Sequence, residues 1–262
     1  MNTDNTIVYE AVDNRATITI NDPERRNPMS TVTMRRLLEA TDTAIVDDDV
    51  RVIVYTGTGE QAFSAGGDLA SGFVDDEDDG DRHEERGALA DLFRLMRSGG
   101  KPTIARVNGH ALAGGFGLAV ACDIVVCVDD AKLGTPEINV GLWPMMISAI
   151  LQRVSPHRKV LEMMMTGTLI TPDEALEMGA ISRVVGRDDL DDAVDEYVNE
   201  LTAKSPIVLA MGRRLFYEVE DLALDRALDR LQDGLTEVAA TDDAREGVSA
   251  FLEKRAPRWK GS

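Results

Sequence analysis

Three short segments contain the residues whose types and spacing could support a reaction. The first is FSAGGDL at Phe63–Leu69, which comes shortly after the β-branched run Val50–Thr56. Its small residues Ala65, Gly66 and Gly67 would let a ligand approach the backbone and would leave amide N–H groups uncovered. Taken alone, this pattern is weak, because a glycine pair after a strand is more often an ordinary turn.

The second segment is NGHALAGGFGLAVACDI at Asn108–Ile124. Gly114 and Gly115 open a predicted helix, so free N–H groups and the positive end of the helix dipole face the space before it. That arrangement suits an anion or a developing oxyanion, although a tight turn packed against a sheet is the alternative. The spacing does not fit a dinucleotide-binding fingerprint, and the Gly-Lys-Ser/Thr of a P-loop is missing.

The third segment is GTPEINVG at Gly134–Gly141, where Glu137 is a lone acid between Pro136 and Ile138. A partly buried carboxylate has a raised pKa and can move protons near neutral pH. The alternative is a solvated glutamate at the end of a strand, and the residues of this segment alone favour that alternative.

The elements that must position these segments follow from the hydrophobic pattern. The chain predicts a β-hairpin at Thr6–Val12 and Ala16–Ile20, a buried strand at Val50–Thr56, and further strands at Lys101–Val107 and Asp123–Val128. Helices are predicted at Thr31–Val46 with Ser30 as its cap, at His83–Ser98 and at Phe116–Cys122, with NGHALAGG as a turn.

Beyond Trp143 the pattern becomes mainly helical, with one more strand at Ile181–Val185. Alternating strands and helices followed by helices alone indicate an α/β core with a helical C-terminal extension. We therefore predict a core over residues 1–200 and a helical region over residues 201–262. Within that region, Leu222–Ala240 has an apolar stripe typical of a subunit interface or of an internal core.

Composition limits the classes of partner. The chain has 47 acidic against 28 basic residues and a net charge of -19, which should repel nucleic acid and anionic membranes. An anionic ligand would need a local basic patch. The acidity fits either a high-salt cytoplasm or an acidic protein from a GC-rich genome. Cys122 and Cys127 read as reduced core residues, and the polar N-terminus does not resemble a signal peptide, so a cytoplasmic protein without a membrane span is expected.

Metal and nucleophile chemistry have little support. His83, His110 and His157 are scattered without ligand spacing, so no metal site is predicted. His110 lies inside the second segment, where a packing role is favoured over a place in a pocket. A Ser-His-Asp site stays open, although no nucleophile-elbow pattern is present.

In this order and spacing, the three segments resemble the crotonase (enoyl-CoA hydratase/isomerase) family over nearly the whole chain. The DPERRNPM loop, the TGTLITPDEALEMGAISRVV segment and the KRAPRWKG tail add to the resemblance. It implies a spiral of ββα units with a helical C-terminal trimerisation region, and homotrimers that often pair as hexamers. It also implies a coenzyme A thioester as the substrate and no separate cofactor.

Carried over by position, the resemblance implies that the N–H groups of Gly67 and Gly114 bind the thioester oxygen and that Glu137 transfers the proton. The other residues implied to bind substrate or coenzyme A are Ala65, Gly66, Asp68, Leu69 and Gly115, with Arg25 and Arg26 as partners for the phosphates. Trp143 stands in a bulky stretch, Trp143-Pro144-Met145-Met146, that is expected to reshape the acyl pocket.

One departure decides the preferred reaction. Family hydratases carry a second Glu three residues beyond the oxyanion Gly, and that position is Gly117 here; the Asp of dienoyl isomerases is replaced by Met145. A single carboxylate suffices for a 1,3-proton shift, so enoyl-CoA isomerisation is preferred. The alternatives are a hydratase that takes an acid from Glu84 or Glu85, an acyl-CoA decarboxylase or hydrolase, and an acyl-CoA binder without turnover. An RNA-associated member of the family is disfavoured by the charge.

Overall fold

The computed structural model describes residues 5–68 and 80–262, with residues 80–86 as helix backbone only. Its strands are β1 (Ile7–Val12), β2 (Arg15–Ile20), β3 (Pro28–Met29), β4 (Val52–Gly57), β5 (Ala62–Ser64), β6 (Gly66–Gly67), β7 (Thr103–Val107), β8 (His110–Leu112), β9 (Ile124–Val128), β10 (Leu133–Gly134) and β11 (Arg183–Val185). Its helices are α1 (Thr31–Val46), α2 (Gly80–Ser98), α3 (Gly114–Ala121), α4 (Met145–Val154), α5 (His157–Thr166), α6 (Pro172–Glu177), α7 (Leu190–Thr202), α8 (Pro206–Glu218), α9 (Leu224–Ala239) and α10 (Asp242–Glu253).

The main sheet has six strands in the order β1-β2-β4-β7-β9-β11. Only β1 and β2 pair antiparallel, and Asp13 and Asn14 adopt positive φ in the tight turn between them, as a two-residue hairpin favours. The other neighbours pair in parallel. Every residue of β4 is buried, because a central parallel strand is covered on both faces. The predicted hairpin and buried strand are confirmed.

Two small sheets lie beside the main one. One is three-stranded in the order β10-β8-β5, and the other pairs β3 with β6. The prediction that NGHALAGG is only a turn is wrong, since His110–Leu112 forms the central strand of the three-stranded sheet. Three residues are too few to display an alternating pattern, and the partners of this strand are distant in sequence.

Side chains cap the first turn of several helices, among them the predicted cap Ser30. The Ser30 side chain accepts the Thr33 N–H at the start of α1, and the Thr241 side chain accepts the Ala244 N–H at the start of α10. Thr171 and Glu174 form a complete capping box on α6. No described helix is long and apolar enough to cross a membrane.

A polar cluster joins the helical region to the sheet. One Asp123 carboxylate oxygen accepts hydrogen bonds from the Thr103 backbone, the Thr103 hydroxyl and the Arg213 guanidinium, the last at 2.8 Å. The other oxygen accepts from the Tyr217 hydroxyl at 2.6 Å. Arg97 lies over the Tyr217 ring, 4.2 Å from its centre, which adds a cation–π contact. Helix α8 is thus fixed to the core through ionic as well as apolar contacts.

Candidate active site

The three-stranded sheet brings the three segments of interest to one edge. All its strands are parallel, with Ser64 of β5 beside Ala111 of β8, and Gly134 of β10 beside Leu112. Parallel strands end at the same edge of a sheet, and that edge is where ligands bind in α/β proteins. The residues that follow these strands are the predicted site residues Gly66–Gly67, Gly114 and Glu137.

Gly66 packs so closely that no side chain fits there. Its φ is +87°, and an added Cβ would lie 2.5 Å from the Cβ of Ala113 and 2.7 Å from the Leu112 carbonyl oxygen. The Gly66 N–H donates to the Ser64 hydroxyl, and the Ala65 N–H donates to the Arg26 carbonyl. Glycine is therefore required at this position to bring the first segment against the start of α3.

The two predicted oxyanion donors come together. An added Cβ on Gly114 would lie 3.9 Å from the Gly67 nitrogen. Gly114 is the first residue of α3, where a backbone N–H has no partner within its own helix. Its predecessor Ala113 has a φ of 50° and donates its N–H to the Gly134 carbonyl, which ties the second segment to the third. Two amide groups and a helix N-terminus thus meet at one point.

Gly115 contacts the first segment through its backbone. An added Cβ there would lie 2.6 Å from the Ser64 carbonyl oxygen and 2.9 Å from the Ser64 hydroxyl oxygen. Gly115 is buried, so its small size allows α3 to pack directly on Phe63–Ser64.

Sequence reasoning missed Met29, which touches both halves of the amide pair. In the β3–β6 ladder, Met29 stands opposite Gly67. Its terminal carbon lies 2.5 Å from the position that a Cβ on Gly114 would occupy, and the residue is 1% exposed. The signal available in the sequence was the single large apolar residue that ends the polar DPERRNPM loop.

Glu137 lies in a short 3-10 helix, Pro136–Val140, three residues beyond the end of β10. Its side chain is half-buried, and desolvation raises the pKa of the carboxyl group above its ordinary value, although a backbone hydrogen bond partly opposes this. One carboxyl oxygen is hidden from solvent and has no hydrogen-bond partner within residues 5–68 and 87–262. Glu137 is therefore a partly buried carboxylate, and not the solvated glutamate that the residues of its segment alone favour.

The reach of the chain limits how far Glu137 can lie from the second segment. Gly134 is bonded to Ala113, and three residues span at most about 11 Å even when fully extended. The hydroxyl of Thr135, between them, is likewise buried without a partner in the described part of the chain. Two buried polar atoms without a described partner therefore belong to the segment that follows β10, the strand bonded to Ala113.

Gly117, where a second acid would be expected in a hydratase, faces hydrocarbon. An added Cβ on Gly117 would lie 2.7 Å from the Cγ1 of Ile147 on α4. Trp143 and Met146 are partly buried and pack against the core, whereas Met145 is exposed. The bulky stretch thus continues into a helix that closes over α3.

The predicted coenzyme-binding residues divide into two groups. Arg25 donates to Asp68 at 2.7 Å and lies 3.7 Å from Asp22, and the bond to Asp68 raises the pKa of Arg25. Arg26 is exposed, with its carbonyl bound to the Ala65 N–H. Arg25 therefore neutralises an almost buried carboxylate, and Arg26 presents its side chain to solvent beside the first segment. Leu69 lies outside the described residues.

The remaining candidates are the scattered histidines and the two acids Glu84 and Glu85. The His110 ring accepts the Lys132 N–H through Nδ1, a contact that links β8 to the residue before β10. The side chains of His83, Glu84 and Glu85 lie outside the described residues. Within the described residues, no group of three or more His, Cys, Asp or Glu side chains could hold a metal ion.

Comparisons with known proteins agree on one family. A family model described as enoyl-CoA hydratase/isomerase matches residues 10–262. The chain is 36% identical over 223 residues to a carnitinyl-CoA dehydratase of Escherichia coli, covering 82% of this chain and 83% of that protein. An enoyl-CoA hydratase structure from Mycobacterium smegmatis superposes with a TM-score of 0.92 at 32% identity, over 98% of this chain and 99% of the other. Human enoyl-CoA hydratase domain-containing protein 3 gives a TM-score of 0.92 at 30% identity, over 97% of this chain and 100% of the other.

Proposed function

Because this chain belongs to the enoyl-CoA hydratase/isomerase family and has the crotonase fold, we propose that it converts 3-enoyl-CoA thioesters into the conjugated 2-enoyl-CoA. The observation that carries the proposal is the half-buried carboxyl group of Glu137, which lies beyond the same sheet edge as the amide pair. Glu137 has a hidden oxygen without a described partner, and the neighbouring position on α3 is a glycine covered by Ile147.

The reaction divides between the amides and the carboxylate. The N–H groups of Gly67 and Gly114 donate to the thioester oxygen. Glu137 removes a proton from C2 of the acyl chain, and the electron pair of that C–H bond moves onto the oxygen through the enolate. The electron pair then returns from the oxygen to form the double bond between C2 and C3. The electrons of the former bond between C3 and C4 take the proton from Glu137, so that C4 gains it. Each such donor typically lowers the barrier by about 3–4 kcal/mol.

The environment of Glu137 suits both halves of this transfer. When the pKa of a base lies closer to the working pH, its protonated and deprotonated forms differ little in free energy, so that it can both accept and return a proton. Desolvation supplies that shift, since it disfavours the charged carboxylate. One residue can therefore serve as base and then as acid, and the overall reaction gains and loses no atoms.

Hydration or dehydration is the second candidate, favoured by the activities in the names of the relatives. Addition of water requires a group that orients and deprotonates water as well as one that protonates carbon. Glu137 would supply one of these, and the other would come from a residue such as Glu84 or Glu85. Decarboxylation, thioester hydrolysis and binding without turnover are the remaining candidates for this site.

The coenzyme would enter along the first segment. Ala65, Gly66 and Asp68 would line its path, and Gly115 would hold the start of α3 in place. Arg26 would meet the phosphates directly, while Arg25 would cancel the charge of Asp68 that would otherwise repel them. Trp143 would border the acyl group. No cofactor besides the substrate is needed for a proton shift.

We also propose that the chain assembles into a homotrimer and that two trimers pair as a hexamer. Apolar side chains of the helical region are exposed on the single chain, including Leu224 at 73% and Leu235 at 70%. Exposed patches of this kind mark subunit interfaces. We place the enzyme in the cytoplasm, where its two buried cysteines stay reduced.

The test is a paired assay of the purified protein. A 3-enoyl-CoA and, separately, a 2-enoyl-CoA are supplied, with the conjugated thioester followed by absorbance and the products by mass. An absorbance increase from the 3-enoyl substrate without a change of mass supports the isomerase. Loss of absorbance from the 2-enoyl substrate with a gain of water would instead support the hydratase.

The role of Glu137 is tested by Glu137→Gln, which keeps the shape of the side chain and removes the base. Turnover should fall at least a thousandfold, while affinity for a non-reacting CoA thioester should change less than threefold. Glu162→Gln, on the exposed face of α5, removes one negative charge and should leave both unchanged. Near-normal turnover of Glu137→Gln would refute the assignment.

A further inference from the structure

Ile147 covers the face of α3 that lies next to the amide pair. Gly117 follows Gly114 by three residues, so the two lie on the same side of the helix, one turn apart. An added Cβ on Gly117 would meet three carbons of Ile147, at 2.7, 3.2 and 3.4 Å. Ile147 is 4% exposed and belongs to the main apolar core. Its side chain therefore fills the space above Gly117.

That space offers nothing to a water molecule. The Gly117 N–H is already bonded to the Ala113 carbonyl at 3.0 Å, and glycine has no side chain to contribute a polar group. A buried water needs two to four polar partners, roughly three on average. Aliphatic carbon on one side and satisfied helix backbone on the other provide none. The wall of the site along α3 is therefore dry as well as closed.

We propose that Ile147 determines the fate of the proton in this site, by keeping water away from Glu137 and the enolate on the side of α3. The proposal rests on the isomerase function proposed above. With water excluded, the proton that Glu137 takes from C2 stays on the carboxyl group until C4 receives it. With water admitted, the protonated carboxyl group would exchange its proton with solvent before the transfer is complete.

The consequence can be measured with a substrate that carries deuterium at C2. In the wild-type enzyme, a substantial share of the label should reappear at C4 of the 2-enoyl product, as read by mass spectrometry. In Ile147→Ala, the retained share should fall at least threefold, because water reaches the space that the side chain has vacated. The rate of isomerisation itself should change less than tenfold.

The control is Ile150→Ala on the same helix. Ile150 is also buried, and the same truncation removes the same atoms, but the space over Gly117 stays filled. Label retention should equal that of the wild type, whatever happens to the melting temperature. If Ile147→Ala does not fold, Ile147→Val removes a single methyl group and should reduce retention by a smaller factor.

The contact itself is checked by a paired substitution. Gly117→Ala should lower the melting temperature because its Cβ overlaps Ile147, and the double variant Gly117→Ala/Ile147→Ala should recover part of that loss. Wild-type retention in an active Ile147→Ala enzyme, or no retention in the wild type, would overturn this inference alone. Failure of the wild type to isomerise any 3-enoyl-CoA would remove the proposed function, and this inference with it.

Discussion

Substitution of Gly66 by alanine should damage the site far more than its size suggests. The added methyl group would lie 2.5 Å from the Ala113 Cβ, 2.7 Å from the Leu112 carbonyl oxygen and 3.1 Å from the Gly114 nitrogen. Two of these three atoms belong to the backbone, which cannot rotate away as a flexible side chain can. The backbone of residue 66 also has a φ of +87°, which favours glycine.

The expected loss of stability follows from the backbone conformation of residue 66 and from the steric overlap of the added methyl group. A non-glycine residue in the left-handed region costs about 1–2 kcal/mol, and overpacking of a tight core costs about 1–3 kcal/mol. Together they predict a loss of about 2–5 kcal/mol of stability. For a chain of this size that is a decrease in melting temperature of about 4–20 °C. Any relief requires β6 to move away from α3, which carries the Gly67 N–H out of position.

Kinetic measurements separate the loss of stability from the displacement of the Gly67 N–H. Displacement of one oxyanion donor should reduce kcat by about 10²–10³ in the fraction that remains folded. Gly67→Ala is the matched control, since no described atom lies within 4 Å of its added Cβ. That variant should keep its melting temperature within about 2 °C, as expected of a surface change. A Gly66→Ala enzyme with wild-type kcat and melting temperature would contradict the geometry proposed for the amide pair.

Three further predictions concern the base, the packing of the amides and the surface charge. As pH falls, kcat/KM should decline through the pKa of Glu137, because a protonated carboxyl group accepts no proton. Burial raises that pKa above its ordinary value. A midpoint of the decline at or below about 4.3 would contradict this prediction. Met29→Ala should destabilise the fold by about 2–5 kcal/mol, measured by denaturant unfolding, and lower kcat more than it changes KM, with Met29→Leu near wild type. With a net charge of -19, raising KCl from about 0.1 M to about 1 M should increase the melting temperature and the trimer fraction in light scattering, and no response would argue against self-repulsion.

Local signals predicted most of the fold. Periodicity and capping residues identified the hairpin, the buried β4, α1 and the mainly helical character of the chain beyond Trp143, because each of those features is long enough to show its own pattern. The short strands β3, β5, β6, β8 and β10 were not predicted, whereas the three-residue β11 was, because it lies within the longer predicted strand Ile181–Val185. The pairing of the unpredicted strands depends on distant partners, so a window of sequence around any one of them contains no sign of it.

The candidate site was predictable to a similar extent. The resemblance of the three segments to a known family implied Glu137 and the two amides, and the structure places those segments at one edge. The contribution of Met29 and the cover of Gly117 by Ile147 could not be predicted, because both are contacts between residues far apart in the chain. Likewise, Arg25 has the charge expected of a phosphate partner, but only the structure reveals its bond to Asp68.

The Asp123 cluster has a consequence for the order in which the protein is made. A mostly buried carboxylate is costly until its cation is in place, and here the cation belongs to Arg213, which is 90 residues later in the chain. The ribosome therefore synthesises the strands on either side of Asp123 well before Arg213, whose guanidinium neutralises the Asp123 carboxylate. We therefore expect packing of the sheet around Asp123 and docking of α8 to occur together, once Arg213 is available.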